Sequence, residues 1–359
     1  MKIGIPKETD DPRVAMVPAV AQKLKGLGVE ILMENDAGKS ASFKSEDYGD
    51  ALTFVSRAEI FQSSDLLLSF NPLPDGDLKS VKKGIVLISQ FKPYFDGEVS
   101  GKLESFQLKA FSLDMIPRTT LAQSMDVLSS MASIAGYKAV LLAAAHLPRY
   151  FPMMITAAGS IRPAKVLVLG AGVAGLQAIA TAKRLGAQVE ASDTRLAAKE
   201  EVESLGAKFI IVEGAADDTS AGGYAVAQSE DFLNRQRQEV QNRAAKSDVI
   251  ITTAQVRGRK APILLSKETI DQMQPGSVVV DLAASTGGNC ELTQDRKVVH
   301  HNGISIIGDS DLAATMPQDA STLFANNVLN FLKLIIKDGN LHLDFENEIV
   351  KSSYITPNL

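Results

Sequence analysis

Short apolar runs alternate with amphipathic helical stretches along the chain, in two successive series. The first series contains the β-type runs KIGIP, VEILMEN, DLLLSFN, GIVLISQF and KAFSLDMI, separated by helical stretches such as PAVAQKLKGLG. The second contains KVLVLG, AQVEAS, KFIIV, DVIITTA, SVVVDLA and ISIIG. This rhythm is typical of parallel sheets covered by helices. The pattern therefore predicts an α/β protein with two doubly wound, parallel-sheet (Rossmann-like) domains.

Two longer helical patterns occur where the two series meet. Residues 126–146 contain no proline, and residues 320–337 carry apolar side chains at helical spacing. We expect both to be long helices that bridge the domains, with a cleft between the domains. The expected first domain is then discontinuous, with residues 1–125 and 321–359, and the second comprises residues 126–320.

The second series opens with a glycine-rich turn, VLGAGVAGLQ, between a strand and a helix. Gly170 allows a tight turn, Gly172 lets the backbone approach a pyrophosphate, and Gly175 lets the helix pack closely on the strand. The N–H groups and the dipole at the helix N-terminus favour phosphates. Asp193, at the end of the next strand, accepts from the ribose hydroxyls of an adenosine and repels a 2′-phosphate. This predicts a preference for NAD(H) over NADP(H). Arg195 lies close by in the sequence, and its positive charge argues against that preference.

Composition and charge fit a soluble enzyme. The chain has 359 residues, 45% hydrophobic and 22% charged, with a formal net charge of −5. An acidic chain without Lys/Arg-rich runs lacks the basic patch that binds nucleic acid. No signal peptide is visible, and the best candidate for a membrane span, residues 139–147, is much shorter than the about 20 residues that a span needs.

The chain offers little for metal or disulfide chemistry. Its single cysteine, Cys290, excludes an internal disulfide framework and has no partner at zinc-ligand spacing. His300 and His301 are adjacent, so their side chains would point to opposite faces of a strand. We predict no metal site.

The segment RTTLAQSMDVLSS, residues 118–130, concentrates polar side chains after the last strand of the first series. Gln123, Asp126 and Ser129 are three residues apart, so in a helix they would share one face and could meet one ligand. Arg118 would pair with Asp126 to hold the loop, Ser129 would bind a carboxamide, and Gln123 would reach a second molecule. The alternative is a solvent-exposed helix start that a threonine caps.

A long loop of small residues, residues 212–232, follows the third strand of the second series and contains Gly223 and Tyr224. Loops of this length in a compact domain are usually functional lids or disordered segments. We expect a mobile lid whose tyrosine covers a bound cofactor, and the alternative is a passive surface loop.

Several segments occur in a fixed order along almost the whole chain: KIGIPKETDDPRVAMVP, RTTLAQSMDVLSS, VLGAGVAGLQAIATAKRLGA followed by DTR, AGGYA, DVIITTAQV, and GSVVVDLA with GGNCEL. Together they resemble the soluble NAD(H)-binding component (domain I, or alpha subunit) of the proton-translocating nicotinamide nucleotide transhydrogenase. Alanine dehydrogenase is the close relative. The combination is far more specific than the glycine-rich turn alone.

The chain departs from alanine dehydrogenases at the positions that carry their chemistry. Where they have a catalytic lysine, this chain has the segment SFNPLP around Asn71, without a lysine. Where they have a histidine, this chain has Lys92 near the corresponding position. Ser285 stands at the position of their acidic residue before a Gly-Gly pair, whereas Arg13 resembles their carboxylate-binding arginine. Without a general base, reductive amination of pyruvate lacks its proton shuttle. Amino-acid dehydrogenase activity is therefore not expected.

The resemblance implies hydride transfer from NADH on this chain to NADP⁺ on a partner subunit, coupled elsewhere to proton movement across a membrane. Such a transfer needs no acid or base, because the cofactors carry the reaction and the protein supplies proximity. The implied residues at the reacting end are Arg118, Asp126 and Ser129, which hold the nicotinamide, and Gln123, which extends toward the second cofactor. The residues implied to bind the rest of NAD(H) are Gly170, Gly172, Val173, Gly175, Asp193, Thr194, Arg195, Gly223, Tyr224, Gln236 and Gln255.

The resemblance also implies a homodimer that associates with a membrane-spanning subunit and an NADP(H)-binding subunit, peripheral on the cytoplasmic face of the inner membrane. The proton channel would lie on other polypeptides. Two alternatives stay open: a free-standing NAD-dependent oxidoreductase of the alanine dehydrogenase kind, and an NAD(H)-binding module without catalysis. The missing lysine, histidine and acid oppose the first. The RTTLAQSMD segment opposes the second, because a sensor needs no group that faces another nicotinamide.

Overall fold

The structure, a computed structural model, describes residues 1–211 and 230–359. It divides into two compact units, which we call the first unit (Met1–Met131 with Ala313–Leu359) and the second unit (Ala132–Leu312). The first unit is therefore discontinuous. The chain passes between the units once after Met131 and once after Leu312.

Strands and helices alternate along both units. The strands are β1 (Lys2–Ile5), β2 (Glu30–Glu34), β3 (Thr53–Val55), β4 (Leu66–Leu68), β5 (Val86–Ser89), β6 (Lys109–Ser112), β7 (Met154–Thr156), β8 (Gly159–Ile161), β9 (Lys165–Leu169), β10 (Gln188–Ser192), β11 (Lys208–Phe209), β12 (Val249–Thr252), β13 (Val278–Asp281), β14 (Lys297–His301), β15 (Ile304–Gly308), β16 (Ile336–Lys337) and β17 (Asn340–Leu341). The α-helices are α1 (Pro18–Lys25), α2 (Arg57–Ser63), α3 (Asp75–Leu78), α4 (Val99–Ser105), α5 (Val127–His146), α6 (Val173–Arg184), α7 (Ala198–Ser204), α8 (Glu230–Ala244), α9 (Lys267–Asp271), α10 (Pro317–Ile335) and α11 (Glu348–Ser353). The 3₁₀ helices are Lys39–Ala41, Ser45–Tyr48, Leu113–Met115, Thr120–Met125, Ala284–Thr286 and Leu312–Thr315.

The first unit is built on a six-stranded parallel sheet in the order β3-β2-β1-β4-β5-β6. Side chains that alternate along a strand enter different cores. Ile31 belongs to the core that includes α10, whereas Leu32 belongs to the core that includes Ile60 of α2. Because both faces are covered, the strands are continuously apolar, which is why the sequence revealed them. The short edge strand β3 has no fully buried side chain, since Thr53 is exposed and Phe54 and Val55 are half-buried, and it was not predicted.

The second unit has a seven-stranded sheet in the order β11-β10-β9-β12-β13-β15-β14. All neighbours are parallel except β14, which runs antiparallel to β15 at one edge. Val168 and Leu169 of β9 enter two different cores, so this sheet is also covered on both faces. The predicted fold class, two Rossmann-like α/β domains, is thus confirmed. The edge strand β14 was not among the predicted parallel strands.

Helix α5 contains the first passage between the units, and α10 lies wholly within the first unit, because the second passage precedes it. The sequence prediction of α10 as a bridge is corrected in this respect. A bridging segment needs contacts in both units, whereas Phe324 and Phe331 of α10 are fully buried in a core of the first unit.

Helix α5 also corrects the expectation that no apolar segment reaches membrane length. Among the described residues it is the one helix that is long and apolar enough to cross a membrane, by length and composition alone. The core helix of a soluble protein passes the same test. Ala139, Val140 and Ala143 of α5 are fully buried in a core of the second unit. A Cβ atom at Gly136 would lie 2.1 Å from the carbonyl oxygen of Ala174 in α6, so the two helices are in close contact.

This contact predicts the effect of filling Gly136. Gly136→Ala must push α5 away from the backbone of α6, and overpacking of this kind costs about 1–3 kcal/mol. The matched control is Gly101→Ala in α4, where an added Cβ meets no described atom within 4 Å. An alanine there should be neutral or stabilise by about 0.5–1 kcal/mol. Thermal unfolding of the two variants tests the packing, and equal midpoints would contradict it.

Candidate functional site

The glycine-rich turn lies where the strand order of the second sheet reverses, at the carboxyl end of β9 beside β12. In open α/β sheets, ligands bind at this position. Gly170 has a φ of 101°, and a Cβ there would lie 2.5 Å from the Oγ1 of Thr253. A Cβ on Gly175 would lie 1.8 Å from the carbonyl oxygen of Gly170. Both glycines are therefore required by the protein's own packing.

Gly172 has a different environment from its two neighbours in the motif. A Cβ at this residue would meet no described atom within 4 Å. Gly172 is also the N-cap residue of α6, and among the described residues no side chain caps the N–H groups at this helix start. The first residue of α6, Val173, is 43% exposed. The helix N-terminus thus offers N–H groups to open space, which fits a pyrophosphate.

Asp193 at the end of β10 braces this turn. Its carboxylate accepts hydrogen bonds from the N–H of Ala171 at 2.7 Å and from the N–H of Arg195 at 2.8 Å. The Nε of Arg195 adds an ion pair at 3.1 Å. Burial opposes ionisation of Asp193, but these hydrogen bonds outweigh it and hold the pKa below its usual value. The Nη2 of Arg195 adds a fourth hydrogen bond at 3.2 Å. A carboxylate has about four acceptor positions, so a ribose hydroxyl would have to take the place of one of the Arg195 contacts.

Two more predicted residues lie close to Asp193. The Nε2 of Gln236 on α8 is 3.5 Å from the carbonyl oxygen of Asp193. Thr194 is exposed. The guanidinium of Arg195 is engaged by the Asp193 carboxylate, so part of its capacity to attract a 2′-phosphate is already used.

The loop after β12 forms the other side of the turn. The Oγ1 of Thr253 donates to the carbonyl oxygens of Leu169 and Gly170, 3.3 and 3.2 Å away. Gln255, a predicted ligand, is exposed and its Nε2 donates to the carbonyl of Leu282 at 2.8 Å. This loop therefore contacts the turn and carries a polar side chain at its surface.

Asn289 fixes that loop and was not assigned a role from the sequence. Its Oδ1 accepts from the N–H of Ala254 at 3.0 Å, and its Nδ2 donates to the carbonyl of the same residue at 2.9 Å. Fully buried Asp281 in turn accepts from the N–H of Asn289 at 2.7 Å and from the hydroxyl of Thr293. The only sequence signal for this role was that two polar residues, Asp281 and Asn289, occur close to apolar runs.

The RTTLAQSMD segment belongs to the first unit and differs from its predicted form. The 3₁₀ helix Thr120–Met125 ends before α5 begins, so Gln123 does not share a helix face with Ser129. Asp126 caps α5: its two carboxylate oxygens accept from the N–H of Ser129 at 2.9 Å and from its hydroxyl at 2.6 Å. A short acidic side chain is a strong N-cap, and here capping interrupts the expected helix.

Arg118 and Gln123 both point away from the packed body of the first unit. The Arg118 side chain is 69% exposed, and its Nε lies 4.0 Å from the Asp126 carboxylate, so the expected pairing is loose. Gln123 is exposed, and Leu121 next to it is 84% exposed. The structure thus brings Arg118, Asp126 and Ser129 together and leaves Gln123 accessible.

The predicted lid residues Gly223 and Tyr224 lie outside the described residues. In the part of the chain that the structure describes, no group of three or more His, Cys, Asp or Glu side chains could hold a metal ion.

The first unit has its own cavity of about 250 Å³, where its strand order reverses between β1 and β4. Glu8 lines it and accepts from the backbone N–H groups of Phe70 and Asn71, and burial raises its pKa to about 7. Beside it, Arg13 is paired with Asp11 at 2.6 Å and stacks over the Phe70 ring at 4.0 Å. The guanidinium is therefore held by contacts within the protein.

Comparison with known proteins places this geometry in a family. Residues 4–135 match the Alanine dehydrogenase/PNT, N-terminal domain, and residues 139–358 match the Alanine dehydrogenase/PNT, C-terminal domain. The chain belongs to the alanine dehydrogenase/PNT family. The resemblance seen in the sequence motifs is thereby confirmed.

Individual members of the alanine dehydrogenase/PNT family match almost the whole chain. The first part of NAD(P) transhydrogenase subunit alpha from Rhodospirillum rubrum is 42% identical over 373 residues, covering 99% of this chain and 96% of the relative. The crystal structure of transhydrogenase from Sinorhizobium meliloti is 40% identical with a TM-score of 0.91, covering 99% and 98% of the two chains. An L-alanine dehydrogenase structure is 24% identical with a TM-score of 0.81, covering 99% and 94%, which shows the shared fold.

The position of Asp193 predicts the cofactor preference. We expect NADH to bind more tightly than NADPH, and Asp193→Asn to narrow the difference by about tenfold. Two like charges about 4 Å apart repel by about 1 kcal/mol in water and more near a protein surface. Glu190→Gln, in β10 just before Asp193 but paired with Arg243, is the matched control. Calorimetric titration decides it, and equal affinities in the unmodified protein would remove Asp193 from this role.

Proposed function

We propose that this chain is the NAD(H)-binding component of a proton-translocating NAD(P) transhydrogenase and passes hydride from NADH to NADP⁺ held on a partner subunit. The observation that carries the proposal is the 42% identity to a transhydrogenase alpha subunit over almost its entire length. The open N-terminus of α6, with Asp193 beside it, supports a dinucleotide in the second unit.

In this mechanism the protein binds and orients. NADH supplies the hydride, so the reaction requires proximity and alignment rather than an acid or base on the chain. The N–H groups at the start of α6 would bind the pyrophosphate. The Asp193 carboxylate, ionised through its hydrogen bonds, would hold the ribose once a hydroxyl takes the place of an Arg195 contact. Gln236 and Gln255 add polar contacts at the rim of the turn.

We assign the reacting end to residues of the RTTLAQSMD segment, with separate tasks. Both carboxylate oxygens of Asp126 accept hydrogen bonds from Ser129, so we assign Asp126 to capping α5 and fixing the Ser129 hydroxyl. Arg118 and Gln123, both exposed, are the groups free to contact a nicotinamide and an approaching second cofactor.

An alanine dehydrogenase function is less well supported. Arg13, the residue that would bind a carboxylate substrate, is engaged by Asp11 and Phe70. The amide of Asn71, near the position of the catalytic lysine, donates to Asp11 at 2.8 Å and cannot act as a base. A binding module without catalysis would not need Arg118 and Gln123 to be exposed in a segment that the Asp126 cap holds in place.

The proposed partners are a membrane-spanning subunit and an NADP(H)-binding subunit, with this chain peripheral on the cytoplasmic face. We also propose a homodimer. In the hairpin of β7 and β8 in the second unit, Ile155 is 77% and Ile161 41% exposed, and Met153, just before β7, is 59% exposed. An apolar hairpin with exposed side chains is a typical contact between subunits, because a partner chain can cover its apolar surface and pair with its edges.

The dimer predicts a specific effect of charge on the hairpin. Ile155→Lys should convert the dimer to a monomer, because a lysine at the interface must lose its hydration without a partner. Val298→Lys on β14, 44% exposed, is the matched control and should remain dimeric. Sedimentation analysis measures both, and a dimeric Ile155→Lys variant would exclude this hairpin as the interface.

The function itself is tested by reconstitution. The chain alone should bind NADH and reduce no NAD⁺ in the presence of alanine. With an NADP(H)-binding transhydrogenase subunit it should transfer hydride, and Gln123→Asn should slow that step by about 10²-fold, the effect of misplacing reacting groups by about 1 Å. NADH affinity should change little, because its adenosine and phosphate contacts lie elsewhere.

The control for this variant is Gln62→Asn, the same substitution in α2, where the amide donates to Ser80. Stopped-flow transfer and NADH titration on the same preparation separate the outcomes. Alanine oxidation by the chain alone would establish the dehydrogenase alternative. A normal transfer rate would remove Gln123 from the mechanism, and a large loss of NADH affinity would make it an ordinary ligand.

A further inference from the structure

Asn327 of α10 is buried, with 8% of its surface exposed, and its amide joins two points of the RTTLAQSMD segment. Its Nδ2 donates to the carbonyl oxygen of Ser124 at 2.8 Å. Its Oδ1 accepts from the hydroxyl of Ser130 at 2.7 Å. One side chain therefore ties the end of the 3₁₀ helix to the first turn of α5, and all three residues belong to the first unit.

The tether lies next to the residue that we assign to the approaching cofactor. Ser124 directly follows Gln123, and the segment around them is largely exposed. The buried side chains of Ala122 and Met125 also hold this segment to the first unit. Apolar contacts fix the depth of a segment but leave its rotation free, whereas a hydrogen bond to a carbonyl fixes direction.

The same carbonyl receives a second amide. Asn330, one turn further along α10, donates from Nδ2 to the oxygen of Ser124 at 3.2 Å. This bond is exposed and longer, so water can replace it. The Asn327 bond is shorter and partly buried, and its donor belongs to a buried side chain, so water replaces it less readily.

We propose that Asn327 is a positioning residue for hydride transfer: it sets the backbone of Gln123 through Ser124 without touching either cofactor. This inference rests on the proposed function. Asn327 and Ser124 are 203 positions apart. Through this bond, α10 near the C-terminus helps to set the geometry of the reacting end.

The test is Asn327→Asp, which keeps the acceptor for Ser130 and places a carboxylate oxygen against the Ser124 carbonyl. The matched control is Asn326→Asp, the same change one residue earlier, where the amide donates to Thr322 of its own helix. In the reconstituted complex, Asn327→Asp should lower the transfer rate by about 10- to 100-fold. Its NADH affinity should stay within about twofold of the unmodified chain. The control should behave like the unmodified chain.

A second measurement does not depend on catalysis. Amide hydrogen exchange across residues 120–126 should become faster in Asn327→Asp than in Asn326→Asp, because the 3₁₀ helix loses its tether. If Asn327→Asp does not fold, Asn330→Asp places a carboxylate against the same carbonyl from an exposed position. It should cause a smaller loss of transfer rate.

Each outcome decides a separate question. Normal transfer in Asn327→Asp would overturn the proposal, and so would an equal loss of rate in Asn326→Asp. A parallel loss of NADH affinity would also overturn it, since Asn327 would then support binding rather than transfer. An unmodified chain that binds NADH but transfers no hydride would refute the proposed function instead, and hydrogen exchange would still test the tether.

Discussion

The close approach of α6 to β9 is the constraint on which the second unit depends. A Cβ at Gly175 would lie 1.8 Å from the Gly170 carbonyl, so the helix sits where only glycine is tolerated. This approach brings the N-terminus of α6 to the point where strand order reverses. The loop after β12 then completes the turn through Thr253. Without the close approach, neither the open N–H groups nor the position of Asp193 would follow.

The polar residues around this turn serve structure before they serve a ligand. Asp193 accepts from Ala171, Asn289 holds both backbone groups of Ala254, and Asp281 holds Asn289. A buried side chain that satisfies backbone donors and acceptors rigidifies the loop that carries it. A dinucleotide therefore meets a surface that is already ordered, which reduces the entropy lost on binding.

What the sequence could predict was set by the range of the interactions involved. The strands β1 and β9 and the glycine-rich turn depend on neighbours in the chain and on burial on both faces, so their patterns were visible. The edge strands β3 and β14 lack that burial and were missed. The predicted helix face of Gln123 and Ser129 was wrong, because Asp126 between them caps α5.

The residues that the sequence could not reveal are those whose partners lie far along the chain. Asn289 bonds to Ala254, 35 positions away, and Asn327 to Ser124, 203 positions away. No periodicity or local motif contains such a pairing. Both are asparagines, whose amide carries a donor and an acceptor, and in both the donor binds a backbone carbonyl. In this fold the two-faced apolar sheets fix the elements, and buried asparagine amides fix the loops between them. A single-residue change at such an amide should therefore affect the geometry of a loop more than the stability of the sheet.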